Sequence, residues 1–368
     1  MDIDIPVAGS SSKSLINDIR PPNLFKCISF SKYKKTDVRN QFVENIKKGK
    51  YEPACYWCAE LICAGHFMDV WEIIFHYIGK YIHLGNPKII IYLQMRYEIF
   101  RNIMSLGHFI HEIELRNNTT IRKLFAEIIC VLIASNKRPT FEPVKIDRQE
   151  EFDMTQMTER LKAPSMNYAV DIMLKEDPKE LFIAINEFSY NISKDRMNMI
   201  GAFYWIEWII EFDTICKNRK EPCVCEKRNS VPVENKYRSD IIWILWDALF
   251  HYSEILENPF INKIMESIFY VFCIKYTTAA SKKRRYLLYF AVAILTETVP
   301  TNVETIQNKS LVKNIVEKID EVYKQIKKNE ESPNTDYLFN NLEDSMNLEK
   351  SLRKMEMINS IHISTDTL

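Results

Sequence analysis

Three cysteines, Cys216, Cys223 and Cys225, fall in a stretch whose intervening residues, Lys217-Asn218-Arg219-Lys220-Glu221-Pro222, read as a loop. Thiolates are zinc ligands, and a loop can bring three of them to one ion while a distant His or Cys completes the tetrahedron. A structural zinc is therefore one expectation here, with ordinary loop cysteines as the alternative. A second set, Cys55, Cys58, Cys63 and His66, has the spacing C-x2-C-x4-C-x2-H. If this stretch is helical, its four positions spread over about 16 Å of axis. Four ligands must instead converge within ~2.0–2.3 Å of a metal. The expectation is small side chains facing a neighbouring helix.

Carboxylates give a second kind of chemistry. Glu207 and Glu211 interrupt the apolar, aromatic run from Met199 to Phe212, and Asp247 and His251 interrupt Ile241 to Tyr252. Acids in apolar surroundings can shift toward neutral pKa values and do acid–base work. The competing reading is a solvent stripe on each helix, or pairing with Arg196 or Arg238. His108 and His111 stand one helical turn apart, within five histidines between 66 and 111 (His66, His76 and His83 are the others), but no carboxylate pattern completes a site around them.

Cations cluster at Lys282-Lys283-Arg284-Arg285, at Lys217, Arg219 and Lys220 with Lys227-Arg228 beyond, and at Lys32 to Lys35. Four cations opening a helix oppose its macrodipole, so something anionic should offset them. Nucleic-acid phosphate would serve, as would an acidic neighbouring helix. The chain as a whole carries 49 cations and 49 anions, which leaves no net charge to draw it to a polyanion.

Glycine is scarce, with 7 in 368 residues against a usual ~7%. Only Gly201 follows Gly107, and no P-loop, Gly-x-Gly-x-x-Gly fingerprint or Gly-x-Ser-x-Gly elbow occurs. Phosphate-cradling loops and nucleophile elbows are thereby excluded. The longest uncharged apolar run, Tyr286 to Thr296, is far short of the ~20 residues of a membrane span. Nine cysteines without a secretory leader read as reduced thiols in a cytosol-like compartment.

The elements that must carry these residues are helices. Thr36-Asp37 should cap a helix ending at Gly49, and Pro53 should open one ending at Gly65. Asn86-Pro87 and Thr119-Thr120 should open two more. Further helical patterns lie at 166–175, 179–192, 196–216, 239–257, 260–276 and 284–298, with an amphipathic stretch over 303–328. The expected fold is all-α, a multi-helix bundle in two packed layers or subdomains with no significant sheet. Its expected parts are a mobile arm (1–35), helical subdomains at 36–135 and 165–328 separated by a linker or hinge (136–164), and a polar, loose tail (329–368).

Phe42 to Ile46, Tyr56-Trp57, Ala59, Ile62 and Ala64-Gly65, followed by Ile82, Leu84 and Pro87, resemble the C-terminal oligomerisation region of the replication-associated recombination ATPases, relatives of clamp-loader subunits. The resemblance covers residues 42–91 and implies a helical collar that joins subunits; the ATPase portion has no counterpart. The chain as a whole resembles an uncharacterised helical protein of nucleocytoplasmic large DNA viruses. The residues that carry this are Cys55 to Leu61, His83 to Pro87, Trp205 to Glu211 and Trp243 to Asp247.

Together these readings lead to a non-catalytic helical scaffold that self-associates and meets other viral proteins in genome replication or in the particle. Its place would be the virus factory in the host cytoplasm, with no membrane and no cofactor beyond the zinc weighed above. A nucleic-acid-binding protein using 217–228 and 282–285 is the alternative, and an enzyme built on Glu207, Glu211, Asp247 and His251 is a third.

Overall fold

The computed structural model describes residues 14–106, 112–148, 152, 158–306, 308–331 and 350–356. Among them there is no β-strand, only two isolated bridges, Ile28 with Lys34 and Val224 with Asp240. The all-α expectation holds.

The N-terminal half contains α1 (Lys35–Lys47), α2 (Tyr51–Cys63), α3 (Phe67–Tyr77), α4 (Ile89–Leu106) and α5 (Thr119–Ala134). Gly49 (φ +71°) and Gly65 (φ +80°) end α1 and α2 in the left-handed conformation that glycine adopts without steric penalty. The C-terminal half contains α6 (Phe182–Ile192), α7 (Met199–Asn218), α8 (Ile242–Ile255), α9 (Pro259–Cys273), the single turn α10 (Ala280–Lys283), α11 (Arg285–Thr296), α12 (Lys309–Glu317) and α13 (Ile319–Lys327). Asparagine is the working N-cap: Asn118, Asn198, Asn258 and Asn308 each accept a backbone N–H of the first turn. The expected cap at Thr119-Thr120 thus sits one residue late, and α1 starts after Lys34 without a side-chain cap from Thr36 or Asp37.

α11 is the central rod. Every residue from Tyr286 to Thr296 is buried, as an all-round apolar helix requires. It packs against α7, α8, α9 and the π-helical turn Ile78–Ile82 that follows α3. Trp71, Trp205, Trp243 and Trp246 are fully buried in the same core. α9 packs on α4, and α12 and α13 return to α5 and α2, so the two sequence halves share one core.

Three expectations need correction. The arm is not mobile over 14–34: Ile16, Phe25 and Phe30 are core residues, and Arg20 binds Asp18 through Nη2 at 2.6 Å and donates to the Phe30 carbonyl at 3.0 Å. The tail is not loose at its start, since Ile19 N donates to Glu331 O at 3.2 Å and Glu331 N donates to Asp18 Oδ2 at 2.8 Å. The expected helix at 166–175 is only a 3-10 turn, Asn167–Ala169, followed by turns. There Tyr168 N donates to Asn186 Oδ1 and Leu174 N to Asp177 Oδ2, so short polar side chains take the amides a helix would need. The amphipathic 303–328 stretch forms two short helices, α12 and α13, that meet at Lys318.

The expected hinge is fastened where it is described. Arg138 N donates to Tyr81 O at 3.0 Å, Phe141 N donates to Lys80 O at 3.2 Å, and Phe141 itself is buried. No helix among the described residues is long and apolar enough to cross a membrane.

Candidate functional site

The four-cation run divides. Lys282 and Lys283, on α10, are exposed, but Arg284 and Arg285 open α11 and turn inward. Arg284 is 2% exposed. Its Nε lies 3.2 Å from Glu72 Oε1, its Nη1 donates to the Phe272 carbonyl at 2.6 Å, and its guanidinium stands 5.6 Å from the Phe75 ring. Arg285 Nη1 donates to Glu207 Oε2 at 2.8 Å. The anion that offsets this run is therefore partly internal: Arg284 is taken out of the proposed nucleic-acid set by burial, and Arg285 is largely committed. In the second cluster, Lys217, at the end of α7, pairs with Asp213, while Arg219 and Lys220 are exposed. Neighbours of the two clusters, though none of their cations, line one small cavity. Asp213, one turn from Lys217, and Ser281, next to Lys282, both line it.

The carboxylates do not assemble into one site. Glu207 is 5% exposed and accepts from Tyr289 Oη at 2.7 Å as well as from Arg285. Burial raises its pKa, against the pull of Arg285 and the Tyr289 hydrogen bond. Glu211 instead pairs with Arg148, and Asp247 with Arg228, whose Nε is 2.9 Å away and which also binds Asp177. His251 sits with its ring 5.2 Å from that of Tyr252. The expected partners were Arg196 and Arg238; Arg238 Nε in fact donates to the Val233 carbonyl at 3.3 Å.

The thiols do not converge on one point either. Cys225 is buried and donates from Sγ to the Asp240 carbonyl at 3.3 Å, while Cys216 and Cys223 are half-buried. Cys55, Cys58 and Cys63 are buried along α2, facing its neighbours, and His66 Nε2 lies 2.9 Å from the Ile28 carbonyl. Among the described residues, no three His, Cys, Asp or Glu side chains gather closely enough to hold a metal ion. His108 and His111 lie outside the described residues.

The concavity that the structure does build is elsewhere. A cavity of about 610 Å³ opens between the end of the π turn, the 138–144 strap and the start of α7; Leu84, Phe141, Val144, Met199 and Phe203 supply its apolar lining. That volume falls within the ~300–1,000 Å³ of small-molecule sites. His83 lies at its edge with φ +29° and ψ −113°, a conformation that costs a non-glycine residue on the order of 1–3 kcal/mol. Its ring stacks on Phe141 at 3.9 Å, and Nε2 lies 3.1 Å from the Pro139 carbonyl. A carbonyl only accepts, so Nε2 must carry the proton and Nδ1 is a bare acceptor. Nδ1 is buried and has no protein partner among the described residues. Burial holds the His83 pKa down at about 4, which the Pro139 hydrogen bond opposes and Arg138 reinforces. Strain, a π turn and a perturbed titratable group coincide here, a combination characteristic of functional sites.

Sequence reasoning marked His83 as one of five clustered histidines and as the first residue of the His83 to Pro87 run that carries the viral resemblance. The local signal was the punctuation His83-Leu84-Gly85-Asn86-Pro87, where a close approach of the strap requires glycine at 85: a Cβ there would collide with the Asn136 carbonyl. The partners on the strap and α7 lie about 55–120 positions away and leave no local trace. No protein-family model, no curated protein and no solved structure matches this chain.

Proposed function

We propose that the chain is a non-catalytic helical scaffold that self-associates and docks other proteins, in the genome replication or particle of a large DNA virus within the host cytoplasm. One observation carries this reading. Large apolar side chains stand exposed in neighbouring elements of the C-terminal half: Met166, Val170, Leu174, Met197 and Ile200, from 45% to 61% exposed. The segments bearing them are tied together by Tyr168 Oη donating to Asp195 at 2.7 Å. Concentrated exposed apolar area marks interaction surfaces. The carboxylates available for acid–base chemistry are meanwhile taken up by Arg285, Arg148 and Arg228. The viral setting rests on the resemblance carried by residues 55–61, 83–87, 205–211 and 243–247. Light scattering of the full chain at micromolar concentration should give a multiple of the monomer mass, and Val170→Glu with Ile200→Glu should return it to monomer. A strict monomer before substitution overturns the reading.

A second reading, nucleic-acid binding, is favoured by the solvent exposure of four cations from the two basic clusters. Exposed Arg219, Lys220, Lys282 and Lys283 would each neutralise phosphate, giving retention on DNA that falls with salt. Changing these four to Ala should abolish that retention; retention that survives removes them from the interface.

A further inference from the structure

We infer that Tyr33 and Trp57 form a stacking platform for the bases of a single-stranded nucleic acid, with Lys26, Lys34 and Lys50 placed for its phosphates. The platform uses none of Arg219, Lys220, Lys282 and Lys283, and it gives a role to the Lys32 to Lys35 run.

The turn that carries Tyr33 is firmly built. Ser29 N donates to the Tyr33 carbonyl at 2.8 Å, Lys32 N donates to the Ser29 carbonyl at 3.1 Å, and a bridge pairs Ile28 with Lys34. Lys32 closes the turn at φ +66°, in the left-handed region that a lysine rarely adopts. A buried acid on α2 secures it: Glu60 accepts from Ser29 Oγ at 2.7 Å and from Ser31 N at 2.9 Å. About one helical turn before Glu60, Trp57 meets Tyr33 edge-on with ring centres 5.5 Å apart. Tyr56 backs Trp57 at 5.3 Å. The result is an open corner of two rings, in which Tyr33 is 47% exposed and Trp57 is half-buried. Every base has a π face, so an accessible aromatic ring takes unpaired bases of any sequence.

The surrounding charge is in surplus. Residues 20–50 hold nine cations and two acids, Asp37 and Glu44. Acids from other segments meet part of this excess: Asp18 pairs with Arg20, Asp69 with Lys35 and Glu331 with Lys32, while Glu44 holds Lys47 and Lys48. Glu60 is spent inside the turn. Lys26, Lys34, Arg39 and Lys50 remain, all exposed and without an acidic partner among the described residues. Lys34 adjoins Tyr33, and Lys26 lies on the segment that the Ile28–Lys34 bridge pairs with it. Lys50 precedes α2 on the face of Trp57, about 10 Å along the axis, whereas exposed Glu52 lies about 140° around the helix from Trp57. Lysines beside accessible rings are the combination that holds single strands.

Trp57 also supplies the readout. The other five tryptophans, Trp71, Trp205, Trp208, Trp243 and Trp246, are buried, so a strand on the surface quenches Trp57 alone. The full-length chain is titrated with oligothymidylate, oligouridylate and a DNA duplex, each about 12 units long, within the range of such sites. Both single strands should quench the emission to saturation, the tighter of the two naming the sugar, and the duplex should leave it unchanged. The logarithm of the binding constant should fall with that of salt at a slope of about −2, as three phosphate contacts on a single strand require. Tyr33→Ala should weaken binding about tenfold, and Tyr33→Phe, which keeps the ring, should restore it. Lys26→Ala with Lys34→Ala, both on the surface, should flatten the slope to about −0.7. Alanine at Arg219, Lys220, Lys282 and Lys283 together should leave the quenching as in the wild type. Absence of quenching at millimolar single strand overturns the inference, as does equal quenching by the duplex. So does quenching that is lost with those four alanines, or an affinity that Tyr33→Ala and the two lysine changes leave unaltered.

Discussion

Arg284 and Glu72, 212 positions apart, form a forked ion pair in which the arginine is 2% exposed and its third nitrogen, Nη1, donates to the Phe272 carbonyl. The pair joins α3 to the start of α11, and so joins the two halves of the chain. Removing one partner of a buried pair leaves the other charge uncompensated, at a cost of about 3–5 kcal/mol. Because Glu72 retains some solvent contact, with 29% of its side chain exposed, Arg284→Ala should cost on the order of 3 kcal/mol in urea unfolding. Lys282→Ala, two positions away and exposed, should stay within about 0.5 kcal/mol. Equal effects at the two positions would mean that Arg284 faces solvent.

Acid should destabilise the protein through its buried imidazoles. Burial holds His76 and His83 down at about 4, against about 6.5 in the unfolded chain. As pH falls, the unfolded chain takes up these protons first, so their contribution is whole above about 6.5 and is lost toward 4. His83 is 3% exposed, and a shift of this size is worth up to about 3 kcal/mol. His83→Asn, which tolerates positive φ better than most residues, should lose roughly 2 kcal/mol less stability than the wild type between pH 7 and pH 4.5. Paired urea titrations at the two pH values decide it; parallel losses would show that His83 is not held neutral.

Glu207 has the opposite sign. Burial raises its pKa in the folded protein, so the native state holds this proton more tightly than the unfolded chain does. That contribution is present in acid and is lost as pH rises from about 4 through the raised value. Glu207→Gln keeps an acceptor for Tyr289 Oη without the ionisation. Stability measured from pH 4 to 7 should therefore shift in favour of the variant as pH rises, relative to wild type. A constant difference across that range would place Glu207 in water.

The thiols should separate by accessibility. Cys27 is exposed, Cys216 and Cys223 are half-buried, and Cys55, Cys58, Cys63, Cys130, Cys225 and Cys273 are buried. Burial also pushes the Cys223, Cys225 and Cys273 thiols up to about 12, which suppresses the reactive thiolate. A thiol reagent at neutral pH should modify Cys27 first and Cys216 and Cys223 slowly, with the other six released only by denaturant. Rapid modification of Cys58, inside α2, would contradict the packing of that helix.

The helices were legible because their evidence is local. Asn258-Pro259 reads as cap and first turn from two adjacent residues, and it is both. Tyr286 to Thr296, too apolar all round for a surface helix, became the central rod. The misreadings arose where a local pattern met a distant competitor. Residues 166–175 carry a helical pattern, but Asn186 and Asp177 take their amides. The Ser- and Pro-containing arm looked unpatterned, yet Arg122 Nη2 holds the Ser14 carbonyl at 3.1 Å and its Nη1 reaches Asp320 at 3.0 Å.

Sequence alone determined that this protein is a bundle of helices with little glycine and no phosphate-binding loop, because caps, apolar periodicity and missing motifs are properties of neighbouring residues. Only the tertiary structure decided which charges face water. Arg284 and Lys283 are adjacent cations in the sequence, but one meets Glu72 in the core and the other remains outside. The cavity beside His83 was decided the same way. Its walls come from four segments far apart in the chain, and their convergence depends on how α11 and the strap fill the space left by the π turn.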